Sequence, residues 1–370
     1  MMMDEQFYSI VLSCIPGLGE ITARHLIKAM GSAQAVFEKK EELRDKILPK
    51  NRNIIDMLDC PEAFQRAEKE IIFNEKHQIQ CLTMKDEGYP ARLRECDDAP
   101  FVLFYRGNAD LNTLKVIAMV GTRRATQYGH DICDRFIKEL SEQIQNVLIV
   151  SGLAYGIDVF SHRAALDNGY NTVCVLAHGL DMIYPNVHRA TAAKMISQGG
   201  LLTEYMTKSI PDKQHFVKRN RIVAGISDAT IVVESAFKGG ALITADIAES
   251  YHRDVFAFPG KIFDEFSTGC NHLIRENKAA LITSAKDFIK AMGWDEHEKK
   301  PPIIQRQLFP DLSEQEQHIV EKLQNTPEGM QINTLVIETN IPVNQISVHL
   351  FELEMKGVIR TLAGGVYQLV

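Results

Sequence analysis

The chain has 370 residues, 45% hydrophobic and 24% charged, enough for two to four domains with their own cores and too apolar for a mostly disordered chain. Its net charge of −7, from 41 basic and 48 acidic groups, leaves no global field to attract a polyanion, so any anion site must be a local patch. No apolar run reaches the roughly 18 residues that span a bilayer. The N-terminus lacks the pattern of a signal peptide, and none of the seven cysteines forms a C-x-x-C pair, so the expectation is a cytoplasmic protein without a metal or other cofactor.

Residues 1–80 read as a helical domain. Phe7-Tyr8-Ser9-Ile10-Val11-Leu12 precedes a break at Ile15-Pro16-Gly17-Leu18-Gly19, after which Ile21, Ala23, Leu26 and Ile27 recur at helical spacing. A Gly-x-Gly break between helices is compatible with a phosphate-holding hairpin or with a plain tight turn. Between residues 81 and 293 the texture changes to short apolar runs: Phe101–Tyr105, Val116–Val120, Val147–Val150, Thr172–Ala177, Leu201–Thr203, Ala229–Val233, Val255–Phe258 and Ala280–Thr283. Amphipathic stretches such as His130–Gln143 and Thr244–His252 separate most of them. Buried strands alternating with helices predict a doubly wound, mostly parallel α/β sheet. Residues 294–312, with Pro301-Pro302 and Pro310, read as a linker. Beyond it, helices near Ser313–Leu323, Ile332–Thr339 and Pro342–Lys356, then a hairpin turning at Gly364-Gly365, make a winged helix over 313–370. Ser313 with Glu316 is a capping-box pair.

A doubly wound sheet binds ligands beyond the carboxyl ends of its strands. After Val120 comes Gly121-Thr122-Arg123-Arg124, where Gly121 allows close approach, Thr122 offers a hydroxyl and Arg123 a fork matched to phosphate. After Val150 comes Ser151-Gly152-Leu153-Ala154-Tyr155-Gly156-Ile157-Asp158, a second glycine-rich turn. Pro211–Ile222 interleaves Lys213, Lys218, Arg219 and Arg221 with Phe216 and Asn220, a pattern suited to single-stranded nucleic acid; Arg219 or Arg221 can instead brace the loops from beneath. Gly239-Gly240 opens a further helix. His178 reads as a satisfied loop histidine, Asp181 as a loop cap, and Cys270 with His272 as structural. Neither G-x-G-x-x-G nor G-x-x-x-x-G-K-[ST] is present, and no nucleophile–base pair sits on this rim, so binding is favoured over turnover.

In order, Tyr89-Pro90, Pro100 through Gly107, Gly121-Thr122-Arg123, Ser151 through Asp158, Tyr184-Pro185, Arg219-Asn220-Arg221-Ile222, Leu242-Ile243-Thr244-Ala245, Pro259-Gly260 and Gly269-Cys270-Asn271 resemble the DNA-processing protein A family, DprA/Smf. The resemblance implies an extended Rossmann-like domain that binds single-stranded DNA, acts as a homodimer without enzymatic turnover, and loads RecA recombinase on incoming DNA in natural transformation while displacing single-strand-binding protein. It also implies an N-terminal domain of SAM or helix-hairpin-helix type and a C-terminal winged helix. By position it assigns a phosphate to Gly121, Thr122 and Arg123, a basic and an aromatic DNA contact to Lys213 and Phe216, and the lining of the same pocket to Arg219, Asn220 and Arg221. Ser151, Gly152, Gly239 and Gly240 complete the candidate set. One departure stands out: Gly239-Gly240-Ala241 replaces the family's usual Ser-Gly-Ser, removing two hydroxyls from that turn.

Two other readings compete. A Rossmann-like phosphoribohydrolase would carry Pro-Gly-Gly-x-Gly-Thr and a glutamate, of which only Gly239-Gly240 is present. A winged-helix transcription factor would read DNA with the helix near Pro342–Lys356, whose one basic residue is Lys356. Residues 311–370 carry 3 basic and 8 acidic groups, a poor phosphate surface and a better protein-contacting one. Removing them is expected to leave single-strand affinity within tenfold of the full chain, as measured by oligonucleotide titration.

Overall fold

The computed structural model describes residues 5–46, 53–294, 312–362 and 364–370; the predicted linker lies almost wholly outside the described residues. Nine strands form one sheet: β1 (Gln80–Thr83), β2 (Val102–Gly107), β3 (Lys115–Val120), β4 (Val147–Ser151), β5 (Asn171–Leu176), β6 (Gly199–Thr203), β7 (Ala229–Val232), β8 (Asp254–Ala257) and β9 (Ala280–Leu281). Their order is β1-β2-β6-β5-β4-β3-β7-β8-β9. From β6 to β9 every pairing is parallel, whereas β1–β2 and β2–β6 are antiparallel. The sheet is thus doubly wound and mostly parallel, as the alternation of runs and helices predicts. The sequence reading omitted β1, a four-residue strand straight after the helix Pro61–His77, with no apolar run to announce it.

Both faces of the sheet are covered, which is why the central strands read as continuous apolar runs. Val116, Ala118 and Val120 of β3 enter one core with Leu148, Val173 and Leu202; Ile117 and Met119 enter the other with Phe136, Ile149 and Ile231. Because β3 pairs with both β4 and β7, the winding reverses there, and the switch-point crevice opens at the carboxyl ends of β3 and β7.

The starts of β3 and β7 are locked together by a buried ion pair. Arg92 Nε donates to Asp228 Oδ1 at 2.6 Å, and Asp228 Oδ2 accepts from the Val116 amide at 2.8 Å. The remaining Arg92 donors reach Thr113 O (3.0 Å) and Leu114 O (2.8 Å). All the charge-bearing groups therefore have partners, the condition under which a buried pair is tolerable.

The N-terminal region is helical, as expected. Phe7, Ile10, Val11 and Leu26 pack onto Phe101, Val102 and Phe104 at β2. Its Gly17–Gly19 turn leads into the helix Glu20–Met30, which is turned onto the sheet domain rather than left open to an anion: Glu20 pairs with Lys218 at 2.6 Å and with Arg221 at 3.0 Å.

The C-terminal winged helix is also present. Its helices are Glu314–Gln324, capped by Ser313 and Glu316 as a full capping box, Ile332–Thr339 and Val343–Met355. A three-stranded sheet of β10 (Met330–Gln331), β11 (Ile359–Leu362) and β12 (Val366–Leu369) completes it. It docks where β8 begins, through Arg253 to the Asn333 side chain and Gln331 to Asp254.

Replacing Asp228 by Ala leaves the Arg92 guanidinium buried and uncompensated. That loss is expected to cost about 3–5 kcal/mol of stability, read as a lowered midpoint in denaturant unfolding.

Candidate functional site: a cleft at the switch point

A cleft of 410 Å³ opens at the carboxyl edge of β3, β4 and β7. Its rim is made by Gly121, Thr122, Arg123 and Arg124, its floor by Gly152 and Asp158, and its opposite wall by Phe216, Arg219 and Asn220. Gly239, Gly240 and Thr244 close it at the start of the helix Gly240–Ser250. Eight of the twelve candidate residues thus meet in one cavity, with Arg219 as a ninth whose charge is turned away from the opening.

The rim loop is held by a residue to which the sequence reading gave no role. Glu234, buried at the end of β7, accepts from the Thr126 amide at 2.9 Å and from its hydroxyl at 2.6 Å, while its carbonyl accepts from the Thr122 amide at 2.7 Å. Gly129 is required beside it, because a Cβ there would overlap the carboxylate. Gly156, at φ 73°, lets the second turn pass directly against the Thr122 carbonyl. A glutamate immediately after an apolar strand was the available signal for Glu234, but its partner, Thr126, is 108 residues away.

Arg219 takes the bracing role. It is buried in the cleft wall, its Nη1 donates to Gly152 O at 2.8 Å and to Val175 O, and its Nε reaches Asn220 Oδ1 at 3.3 Å. Burial pulls its pKa down, opposed by the Asp158 charge; burial likewise pushes the Asp158 carboxyl up, opposed by Arg219. Any side chain at position 152 would meet this guanidinium.

Arg221 does not line the cleft. Two residues further along the helix Lys213–Gly225, it points to the far side and forms a two-nitrogen pair with Glu204 (3.0 and 2.8 Å) and a link to Glu20. The helix period separates it from the face that carries Phe216, Arg219 and Asn220. Ser151 is also outside: its buried hydroxyl donates to Met119 O at 2.6 Å. Lys213, the first residue of the helix, is exposed and does not line the cleft.

Phe216 is half-buried, with the Arg123 guanidinium 4.9 Å from its ring centroid and the Tyr184 ring at 6.0 Å. An exposed arginine resting on an aromatic face gives a cation and a stacking surface in one place.

His178 and Asp181 are tied into their loops. His178 faces Gly179 O and accepts from the Tyr184 amide, and burial holds its pKa down. Asp181 accepts from the Lys208 amide at 2.9 Å. Burial pushes the Cys270 thiol up to about 12, and among the described residues no group of three or more His, Cys, Asp or Glu side chains is placed to hold a metal. Among them, too, no helix is long and apolar enough to cross a membrane.

A doubly wound sheet with a glycine-lined cleft at its switch point, a helical N-terminal region and a winged helix defines a Rossmann-like protein of modular build. The family model for DNA recombination-mediator protein A matches residues 80–293, and that for the DprA winged helix domain matches residues 305–365. The chain belongs to this DNA-processing family, DprA/Smf. It is 38% identical over 243 residues to the DNA processing protein DprA of Streptococcus pneumoniae, covering 64% of this chain and 85% of that one. It is 32% identical over 305 residues to Protein Smf of Escherichia coli, covering 82% and 80%. Among solved structures, the S. pneumoniae DNA processing protein A superposes with a TM-score of 0.62 at 34% identity, covering 77% of this chain and 97% of that one. The Helicobacter pylori DNA processing protein A, described for its single-stranded DNA binding mode, gives 0.53 at 29% identity, covering 60% and 98%.

The packing sets a contrast that can be measured. Glu234→Ala strips the Thr126 amide and hydroxyl of their acceptor and is expected to cost about 1–3 kcal/mol. Gly240→Ser, where a Cβ meets nothing within 4 Å, is expected to melt with the parent. Thermal unfolding of the two variants checks both.

Proposed function

We propose that the switch-point cleft binds single-stranded DNA, and that the protein, acting as a homodimer, loads RecA recombinase on that DNA during transformation and recombination, displacing single-strand-binding protein. The observation that carries this reading is the Arg123–Phe216 pair: one exposed cation for a phosphate and one ring for a base, 4.9 Å apart at the mouth of a glycine-lined cavity. Gly240 presents no side chain to the opening, Gly121, Gly152 and Gly239 let the lining pack against Ile157, Arg219 and Ser235, and the helix Gly240–Ser250 turns its positive end to the cavity. Lys213, exposed at the first turn of the helix that carries Phe216, would meet a flanking phosphate. The single-stranded DNA binding described for the H. pylori relative supports the same assignment.

We infer binding without turnover from the same groups. Ser151 is buried on a carbonyl, and Asp158, the one carboxylate lining the cleft among the described residues, is buried and accepts from the Ala154 amide at 3.2 Å. Release of free base from nucleoside monophosphates would overturn this part of the reading.

The two kinds of contact separate in a salt titration. Arg123→Ala and Lys213→Ala are each expected to weaken single-strand binding and to flatten the slope of log affinity against log salt by about 0.7. Phe216→Ala is expected to weaken binding about five- to a hundredfold, from roughly 1–3 kcal/mol of stacking, with the slope little changed. Unaltered affinity in a Phe216→Ala protein that melts like the parent would refute the stacking role.

A further inference from the structure

The loop 259–267, between β8 and the helix Thr268–Arg275, is pinned at both ends yet leaves its tip bare. At its start the Gly260 amide donates to Asn271 Oδ1 at 3.1 Å, and Asn271 Nδ2 donates back to Gly260 O at 3.0 Å. At its end the Ser235 amide donates to Phe266 O at 2.7 Å. Between these ties Ile262 is 78% exposed and Phe263 98% exposed. Adjacent large hydrophobes held in water by a fastened loop mark a contact surface.

Continuity and charge identify the occupant. Phe266, at the end of the same loop, lines the cleft, and the Arg124 guanidinium lies 5.0 Å from its ring. Arg124 also pairs with Glu265 at 2.8 Å, which offsets an acid close to the path. Lys261 precedes Ile262, and Lys238 stands in the turn that follows Ser235; both are exposed, and neither makes an ion pair among the described residues. Aromatic and basic groups interleaved in this way suit a single strand, whose bases stack while its phosphates pair. Three residues of chain, from Phe266 to Phe263, reach at most about 10 Å, the length of about three stacked nucleotides at 3.4 Å each.

We propose that Phe263, with Ile262 beside it, is a second stacking platform that receives the nucleotides leaving the cleft, so that the bound strand runs from Phe216 past Arg124 to Phe263. This rests on the cleft being the single-strand site. Under it, oligonucleotides long enough to leave the cleft gain affinity from Phe263, and those confined to the cleft do not.

The test uses the full chain with oligothymidylates of about 6 and about 18 nucleotides. Phe263→Ala is expected to bind the longer strand about five- to a hundredfold more weakly than the parent, while its affinity for the shorter strand stays within twofold. Trp294, the one native tryptophan, is buried, so Phe263→Trp introduces an exposed reporter. That variant is expected to keep the parent's affinity for the longer strand and to lose emission when it binds. Equal binding of the longer strand by parent and Phe263→Ala would overturn the platform. So would a Phe263→Ala protein whose sedimentation shows altered self-association but whose affinity for the longer strand is unchanged, since the tip would then belong to a protein contact. A parent that binds neither oligonucleotide overturns the cleft reading itself, and a parent that binds the shorter strand with no dependence on Phe263 for the longer one overturns the platform alone.

Discussion

Arg219 lies beneath the carboxyl ends of β4 and β5, its guanidinium shared between the carbonyls of Gly152 and Val175. Two strand ends and one helix meet on this group, so the position of the helix Lys213–Gly225 over the sheet is set by it. Phe216 stands one helical turn before Arg219 and Asn220 one residue after it. Their presentation to the cleft therefore depends on a cation that is itself turned away from the opening. Guanidinium suits the task because its planar fork offers five donors and keeps its charge when buried, which an ammonium on a flexible stem does not do as well. Asp158 faces it electrostatically across the floor, each group's burial penalty eased by the other's charge.

The cations of this region divide into two populations by burial. Arg92, Arg219, Arg221 and Arg253 are buried and bonded to carbonyls, carboxylates or an amide. Arg123 and Arg124 are exposed at the rim, and Lys213 is exposed outside the cleft. A net charge of −7 is thus compatible with a polyanion site, because only a few exposed cations on one edge define the local potential. The buried set holds the framework, and the exposed set faces solvent at the carboxyl edge.

The flanking regions are tied to the same framework. Glu20 of the N-terminal helices meets Lys218 and Arg221 on the outer side of the helix whose inner side carries Phe216. The winged helix is fastened through Asn333 and Gln331 at the start of β8, at the amino edge of the sheet and away from the cleft.

Hydrophobic patterning by itself determined the sheet, its parallel majority and the capping of the winged helix, because periodicity and caps are local properties of the chain. It also placed the glycine turns at strand ends, since a strand, a glycine and a helix are consecutive in sequence. Strand β1 escaped it, being four residues long and paired only through β2. The direction of each basic side chain on the helix Lys213–Gly225 was equally out of reach: Arg219 and Arg221 are two residues apart and share a composition, yet one braces the cleft and the other clamps the N-terminal region. Which side each faces depends on the rotation of the helix about its axis, and that rotation is set by Gly152, Val175, Glu204 and Glu20, residues 17 to 201 positions away. Local sequence determines which elements form; the partners that orient them come together only when the sheet closes.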